Sequence, residues 1–184
     1  MFFTRRGDDG YTDLLGGGRV AKEDRRITAL GDVDEATAAI GVSRATATQD
    51  DTKRALLHVQ KDLYWLMADL ATVAGKMADQ PRLSSTNIDE LEAIIAEFDS
   101  RVSIPKEFVA SGDSLAGAHL HVARTVVRRA ERTVTQLLHA GTEGGEHEAM
   151  VGYLNRLSSL LFGLACYEDQ AAGAQPTLSK AIKE

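Results

Sequence analysis

The chain has 184 residues, of which 43% are hydrophobic and only 5% aromatic. That length suits one domain with a sizeable core, and the scarcity of aromatic residues favours helices over a β-sandwich. The net charge of −6 argues against general nucleic-acid binding, so an anionic ligand would need a local basic cluster.

Residues 1–27 form a segment unlike the rest of the chain. Glycines crowd it together with arginine, aspartate and threonine, as in T-R-R-G-D-D-G-Y-T-D-L-L-G-G-G-R-V-A-K. This composition predicts a loop, ordered alone or by a ligand, rather than a helix. Glycine lets backbone N–H groups approach a phosphate, and Thr4, Arg5, Thr12 and Lys22 would add donors. A plain flexible terminus fits at least as well, and the G-x-x-x-x-G-K-S/T phosphate loop is absent.

Five amphipathic patterns follow, and each predicts a helix. Their bounds are about 32–48, 51–74, 85–102, 114–140 and 146–170. Asp32 or Asp34 is the expected cap of the first helix, and Asp51 that of the second. Residues 172–184 are expected to form a frayed tail. Long helices with short connections predict an all-α bundle over residues 32–171 within a single domain.

The most informative stretch lies in the fourth predicted helix. Arg124, Arg128, Glu131 and Arg132 recur at spacings of three and four, which places them on one helical face, here called the basic stripe. The stripe has three guanidiniums and only one carboxylate, and this excess of positive charge favours an anionic partner. The geometry of a guanidinium group matches that of phosphate oxygens well. A polyphosphate ligand and a partner chain's carboxylate both satisfy the stripe. On spacing alone, a basic helix face that is exposed to solvent and binds no partner is about equally well supported.

Acidic residues near the start of the chain carry two further hypotheses. Asp8 and Asp9 would oppose a phosphate unless a cation such as Mg²⁺ stands between them, and the alternative is a turn role bonding local N–H groups. Asp34 and Glu35 fit a helix cap or a dipole partner. The sharper hypothesis pairs Asp34 with an arginine of the basic stripe.

Asn155 and Phe108 are the other candidate ligand contacts. Asn155 interrupts an apolar stretch, and a bond to a nucleotide and a bond to a facing helix fit equally. Arg156, beside it, fits solvent or a neighbouring carboxylate. Phe108 lies in an interhelical linker, where folding back onto the core is the default and lining a ligand pocket is the alternative.

No side-chain nucleophile or metal site is visible. None of the five histidines forms a helical metal pair, so no structural metal is expected. Cys166, the only cysteine, sits in an apolar run and is expected to be buried. An enzyme built on this chain would therefore position a reactive cofactor and stabilise polyphosphate.

The lone cysteine, and the lack of a signal-peptide pattern or a span-length apolar run, predict a cytoplasmic protein without a membrane partner.

Together these residues resemble the PduO-type ATP:cob(I)alamin adenosyltransferases. Beside the opening loop, the resemblance rests on G-D-V-D-E at 31–35, H-V-A-R-T-V-V-R-R-A-E-R at 121–132 and Y-L-N-R-L-S at 153–158. It implies a five-helix bundle that assembles as a homotrimer with active sites between subunits. It also implies transfer of the 5′-deoxyadenosyl group of ATP to the Co(I) of reduced cobalamin, giving adenosylcobalamin and triphosphate.

The implied chemistry needs no protein nucleophile, because the Co(I) corrinoid attacks C5′ of ATP itself. Mg²⁺ would accompany ATP, and no protein-held metal is implied. A reductase and an adenosylcobalamin-dependent mutase are possible further partners.

Site residues follow from the same resemblance. The family's nucleotide-binding loop and its lysine fall on Thr4, Arg5, Gly7, Asp8, Gly10, Thr12 and Lys22. Its ATP-holding residues later in the chain fall on Arg128, Glu131, Arg132 and Asn155, with Arg128 catalytic. Arg124 matches an arginine that pairs with an aspartate across the subunit interface, here Asp34. Phe108 resembles the catalytic aromatic that packs beneath the corrin and keeps the lower axial ligand off cobalt.

Several positions depart from the family pattern. After this phenylalanine and one aliphatic residue the family usually has Leu-Pro-Gly-Gly, whereas residues 110–113 read A-S-G-D. The family's E-x-Y-G before the first helix becomes T-A-L-G at 28–31, and Ser159 replaces a carboxylate. These changes spare the main phosphate ligands. They favour, as the alternative, a non-catalytic ATP- or corrinoid-binding protein of the same fold, acting as a sensor or a cofactor-delivery chaperone.

Overall fold

Five helices and one short hairpin organise the described residues 3–73, 82–140 and 148–180 of the computed structural model. In chain order the elements are β1 (Tyr11–Asp13), β2 (Arg19–Ala21), α1 (Arg25–Thr46), α2 (Asp50–Ala71), α3 (Ser85–Asp99), α4 (Leu115–His139) and α5 (Glu148–Ala171). The predicted all-α five-helix bundle is confirmed.

The opening segment contains the hairpin. β1 and β2 pair antiparallel, with Thr12 opposite Val20. Gly16, Gly17 and Gly18 connect them with φ values of 84°, 107° and 94°, which side chains with a Cβ rarely adopt. The sequence did not reveal the hairpin, because strands of three residues are too short to display an alternating pattern.

α1 begins seven residues before its expected start at 32, since it starts at Arg25. Asp24 is the cap, and its carboxylate accepts a hydrogen bond from the Arg26 N–H at 2.8 Å. The expected caps Asp32 and Asp34 are wrong, because both lie inside the helix. α1 runs through Gly31, although glycine lowers helix propensity.

The start of α2 is held by a residue distant in sequence. Asp51 is not its cap, since Gln49 takes that position without a side-chain bond. Instead the buried Glu168 of α5 accepts hydrogen bonds from the backbone N–H groups of Thr48 and Gln49 at 2.9 and 3.1 Å, and from the Thr48 hydroxyl at 2.6 Å. α2 ends at residue 71 rather than 74 and α3 at 99 rather than 102, while the expected α5 start at 146 lies outside the described residues.

α4 and α5 form the centre of the bundle. α4 packs against α1 and α5, while α2 packs on α1 and α3 packs on α5. Leu120, Val127 and Val134 of α4 are fully buried. A buried polar link ties the outer helices in, because the Tyr153 hydroxyl donates to Asp62 at 2.8 Å and the Asn87 amide donates to the same carboxylate at 3.1 Å.

α5 is long and apolar enough to cross a membrane by length and composition, contrary to the expectation that no such run exists. Its burial explains this property. Tyr153, Leu157, Leu161 and Leu164 are fully enclosed between the neighbouring helices. The apolar length of α5 is therefore that of a core helix.

The structure corrects the expected frayed tail over residues 177–179. Leu178 pairs antiparallel with Val109 in the linker between α3 and α4. We call residues 177–179 the strap; residues 181–184 lie outside the described part of the chain.

Candidate functional site

Two residues of the basic stripe, Arg124 and Arg128, line a cavity of about 360 Å³ between α3, α4 and α5. Its polar part is formed by two arginines, one carboxylate and two serines: Arg124, Arg128, Asp99, Ser158 and Ser159. The apolar part is formed by Ile95, Phe98, Val102, Ile104 and Phe162. One wall therefore suits an anionic group and the other an apolar ring system.

Two arginines of the stripe have unused donors. The Arg128 guanidinium has no acidic or hydrogen-bonding partner among the described residues, and the buried Arg124 Nε also lacks one. Arg132 instead donates through Nη1 to the backbone carbonyl of Arg128 at 3.0 Å. The Arg124 Nε is buried, and a buried donor without a partner is costly, which favours an external acceptor for this arginine; the side chain of Arg128 is exposed to solvent.

Asn155 and Glu131 meet across α4 and α5. The Asn155 Nδ2 donates to Glu131 Oε1 at 3.0 Å, so the facing-helix interpretation of this amide is realised. Arg156 pairs with Glu92 of α3, with 3.0 Å between Nε and Oε1, as the carboxylate alternative expected. Asn155 and Glu131 thus lie together at one end of the basic stripe.

The ion pair between α1 and α4 uses a different arginine from the expected one. Asp34 is exposed and makes no ion pair with the basic stripe within the described chain. Arg129, beside the stripe, binds Glu35 and lies 3.6 Å from Asp32. The Glu35 carboxylate raises the pKa of Arg129. Sequence reasoning missed Arg129, although the spacing of Asp32 and Glu35 on one helical face was a signal for it.

The opening loop is folded onto itself around Lys22. The Lys22 Nζ donates to the Gly7 carbonyl at 2.7 Å, and a Cβ at Gly7 would lie 3.0 Å from that ammonium. Arg5 has φ 63°, a left-handed conformation that is uncommon for a residue with a Cβ. Gly10 (φ 82°) follows, and Thr12 lies in β1. The loop therefore has a defined shape that includes one strained residue.

The two adjacent aspartates of the loop have different surroundings. Asp9 is bound by Arg19, with 2.9 and 3.0 Å between their closest atoms, and it accepts the Tyr11 N–H at 3.2 Å. These contacts, Arg19 first, lower the pKa of Asp9. The Asp8 carboxylate has no partner among the described residues. Asp9 thus has the turn role, and Asp8 keeps its oxygens available. Arg19 was missed because its pairing depends on the hairpin.

The loop and the basic stripe are separate within one chain. Leu15 joins the loop to the end of α2, since its N–H donates to the Ala71 carbonyl at 2.8 Å and its carbonyl accepts the Val73 N–H at 3.0 Å. No hydrogen bond or ion pair among the described residues joins the loop to α4. Within the described residues of one chain, the two predicted phosphate-binding groups are therefore not bonded to each other.

Phe108 is 84% exposed, so the expectation that it folds back onto the core is wrong. The strap explains this position. The Ser179 N–H donates to the Phe108 carbonyl at 2.8 Å, and the Ala110 N–H donates to the Thr177 carbonyl at 2.7 Å. The backbone is held while the ring stands in solvent.

His121 is a buried titratable group that sequence reasoning treated only as a failed metal ligand. It is 5% exposed, its Nδ1 has no partner in the described chain, and its ring centre lies 6.0 Å from that of Phe162. Burial, and then the charge of Arg124, lower the pKa of His121. Cys166 is buried as predicted, and that burial raises the pKa of its thiol.

Comparisons with known proteins agree on one family. A family model described as cobalamin adenosyltransferase matches residues 2–168. The chain is 43% identical over 166 residues to a corrinoid adenosyltransferase of Mycobacterium tuberculosis (strain ATCC 25618 / H37Rv), covering 89% of this chain and 86% of that protein. It is 37% identical over 171 residues to the corrinoid adenosyltransferase PduO of Salmonella typhimurium, covering 92% of this chain. The chain spans about half the length of that relative, 50%.

A solved structure has the same fold. It is a phenylalanine-to-alanine variant of a PduO-type ATP:corrinoid adenosyltransferase from Lactobacillus reuteri, complexed with cobalamin and ATP. The TM-score is 0.87 at 28% sequence identity, covering 98% of this chain and 100% of that one.

Proposed function

The chain belongs to the cobalamin adenosyltransferase family, and we propose that it transfers the 5′-deoxyadenosyl group of ATP to the Co(I) of reduced cobalamin. The products are adenosylcobalamin and inorganic triphosphate. The observation that carries this proposal is the cavity in which Arg124 and Arg128 face an apolar wall. Its basic side suits the triphosphate and its apolar side suits the adenosyl group or the corrin edge.

The reaction is a displacement at C5′. Cob(I)alamin supplies the electron pair of the new Co–C bond, and the C5′–O bond breaks with its electrons leaving on triphosphate. The residues therefore have to orient two substrates and stabilise a leaving group. Arg128 stabilises the charge that grows on triphosphate, because its guanidinium makes no ion pair among the described residues and is available to phosphate. Arg132, Glu131 and Asn155 hold the nucleotide beside it.

The opening loop binds the triphosphate. Thr4, Arg5, Gly7, Gly10 and Thr12 provide backbone and side-chain donors. The Lys22 ammonium exchanges the Gly7 carbonyl for a phosphate oxygen. Mg²⁺ with ATP neutralises phosphate charge, and the unpaired Asp8 carboxylate fits the oxygen ligands that this ion prefers.

We propose that three copies assemble with the active sites between subunits. Two observations support this assembly: among the described residues, the loop and the basic stripe share no hydrogen bond or ion pair, and Asp34 makes no ion pair with the stripe. The Arg124 guanidinium has an unpartnered buried Nε. An ion pair from Asp34 of one copy to Arg124 of the next satisfies both groups.

A reductase that supplies Co(I) and a mutase that accepts adenosylcobalamin are the proposed partners, in the cytoplasm.

Phe108 is the proposed corrin contact. Its exposed ring packs beneath the corrin and excludes the lower axial ligand, which makes Co(II) easier to reduce. The resemblance motivates this role, and the exposure of the ring supports it. If the Phe108 ring were packed in the core, it would have to leave the core before it could contact the corrin.

The test is an anaerobic assay with ATP, Mg²⁺ and chemically reduced cobalamin, followed by corrin absorbance. We expect turnover in the native chain, and in Arg128→Ala a fall in kcat of at least about 10²-fold with unchanged helical content. Arg156→Ala, an exposed arginine paired with Glu92, is the matched control and retains activity. Near-native turnover in Arg128→Ala would reject its role. No turnover in the native chain, with ATP still raising Tm, would favour the binding-protein alternative.

A further inference from the structure

The strap is the main hold on the linker that carries Phe108. Within the described chain, residues 104–112 make two hydrogen bonds, both to the strap: Ala110 N–H to the Thr177 carbonyl and Ser179 N–H to the Phe108 carbonyl. Gly112, with φ 123°, adds a flexible position to the same linker. The place of Phe108 therefore depends on whether the strap stays paired.

Asp113 fixes the strap. Its Oδ2 accepts the Thr177 N–H at 3.0 Å and its Oδ1 accepts the Thr177 hydroxyl at 2.7 Å. Both hydrogen bonds, that from the Thr177 hydroxyl first, lower the pKa of Asp113 below its ordinary value. A charged acceptor with two donors from one residue is a specific contact.

The two ends of this contact are anchored in the bundle. Asp113 directly precedes Ser114, whose hydroxyl caps α4 by accepting the Gly117 N–H at 2.9 Å and donates to Asp169 at 2.6 Å. The segment before the strap is held by the Ala174 N–H, which donates to the Asp169 carbonyl at 3.0 Å. The strap therefore connects the Phe108 backbone to α4 and α5.

We propose that Asp113 is a positioning residue for corrinoid binding: by holding Thr177 it keeps the strap paired with the Phe108 backbone, and so keeps the exposed ring in place. This role rests on the proposed function, in which Phe108 contacts the corrin. The proposed role of Asp113 would explain the last position of the A-S-G-D segment, which differs from the family pattern. Asp113 itself touches neither substrate.

Two variants weaken the contact from opposite sides. Asp113→Ala removes the acceptor, and Thr177→Val removes the hydroxyl without altering the start of α4. Thr177→Val loses one of the two hydrogen bonds and keeps its backbone N–H, so we expect it to raise the KM for cob(I)alamin about fivefold. Asp113→Ala loses both and should raise this KM further, and the KM for ATP should be unchanged in each variant. The fraction of four-coordinate cob(II)alamin formed with ATP, read by its absorption spectrum, should fall in parallel.

Two controls accompany them. Thr177→Ser keeps the hydroxyl and should restore native values. Ser179→Ala lies on the strap and retains its N–H, so it should behave as the native chain. Backbone hydrogen exchange at Ala110 and Ser179, measured without ligands, should be faster in Asp113→Ala and Thr177→Val only.

Unchanged exchange in both variants, or faster exchange with an unchanged KM for cob(I)alamin and an unchanged four-coordinate fraction, would overturn the role of Asp113 while leaving the transferase activity intact. Absence of turnover in the native chain would overturn the proposed function, and this role with it.

Discussion

The Asn155 amide on α5 donates a hydrogen bond to the Glu131 carboxylate on α4, with 3.0 Å between Nδ2 and Oε1. Glu131 is the only carboxylate of the basic stripe, and it makes no ion pair with Arg128 or Arg132. The amide thus occupies a carboxylate oxygen that would otherwise compete for the arginines. We infer that this bond keeps Arg128 open to phosphate before any nucleotide binds.

This arrangement predicts that Asn155→Ala weakens ATP binding about tenfold, because Glu131 is freed to pair with the arginines that bind phosphate. In Glu131→Gln the competitor is neutral, so adding Asn155→Ala to it should cost much less than in the native chain. Calorimetric Kd values for the four proteins complete the cycle. Simple additivity of the two changes would contradict the interpretation.

Lys22 gives a second prediction. Its ammonium donates to the Gly7 carbonyl at 2.7 Å, so its charge lies within the loop before ATP arrives. Lys22→Met should raise the Kd for ATP about 10- to 100-fold, the range of a lost charge-assisted hydrogen bond. It should also make binding less sensitive to salt. Lys53→Met, which removes an exposed lysine paired with Asp50 on α2, is the control. Equal ATP affinities in the two variants would remove Lys22 from the phosphate site.

The sequence predicts what local periodicity controls. Leu120, Val127 and Val134 recur every seven residues on α4, a helical spacing, and they are fully buried in the core. The cap of α2 was not predictable in this way, because the oxygens that satisfy Thr48 and Gln49 come from Glu168 on another helix. The start of α2 is in this respect unlike those of α1 and α4, which are capped by the adjacent Asp24 and Ser114.

The candidate site likewise has features that one helix carries and features that depend on contacts between distant elements. The basic stripe is visible in the sequence because one helix carries it. The pairing of Arg129 with Glu35 and of Asp113 with Thr177 requires knowledge of which elements are neighbours. Phe108 was misjudged for that reason, since the strap that holds its backbone follows about 70 residues later in the sequence.

We expect replacement of a helical glycine by alanine to have opposite effects on the free energy of unfolding at Gly117 and at Gly31. A Cβ at Gly117 of α4 would overlap the Asp169 carboxylate, which Ser114 holds at 2.6 Å. We expect Gly117→Ala to lower the free energy of unfolding by about 1–3 kcal/mol. At Gly31 of α1 the added Cβ meets nothing within 4 Å, so Gly31→Ala should raise it by about 0.5–1 kcal/mol. Chemical denaturation at one protein concentration measures both. Stabilisation by Gly117→Ala would show that Asp169 moves away freely.

His121 predicts how stability depends on pH. Its pKa is lowered by burial and then by Arg124, and raised in part by Asp169 and Asp113. The unfolded chain therefore binds a proton at a higher pH than the folded chain does. The stability contribution of neutral His121 is complete above the ordinary value of 6.5 and decreases as pH falls below it.

Replacing His121 with glutamine removes this titration while the other histidines remain in both proteins and cancel. We expect the native chain's unfolding free energy, minus that of His121→Gln, to be constant above about pH 7 and to decrease steadily toward about pH 5.5. Urea denaturation across this range, at fixed ionic strength and protein concentration, provides the difference. A difference that is flat, or that grows as pH falls, would mean that His121 is protonated as readily in the folded chain. In that case the unpartnered Nδ1 must gain an acceptor near Asp113 or Asp169.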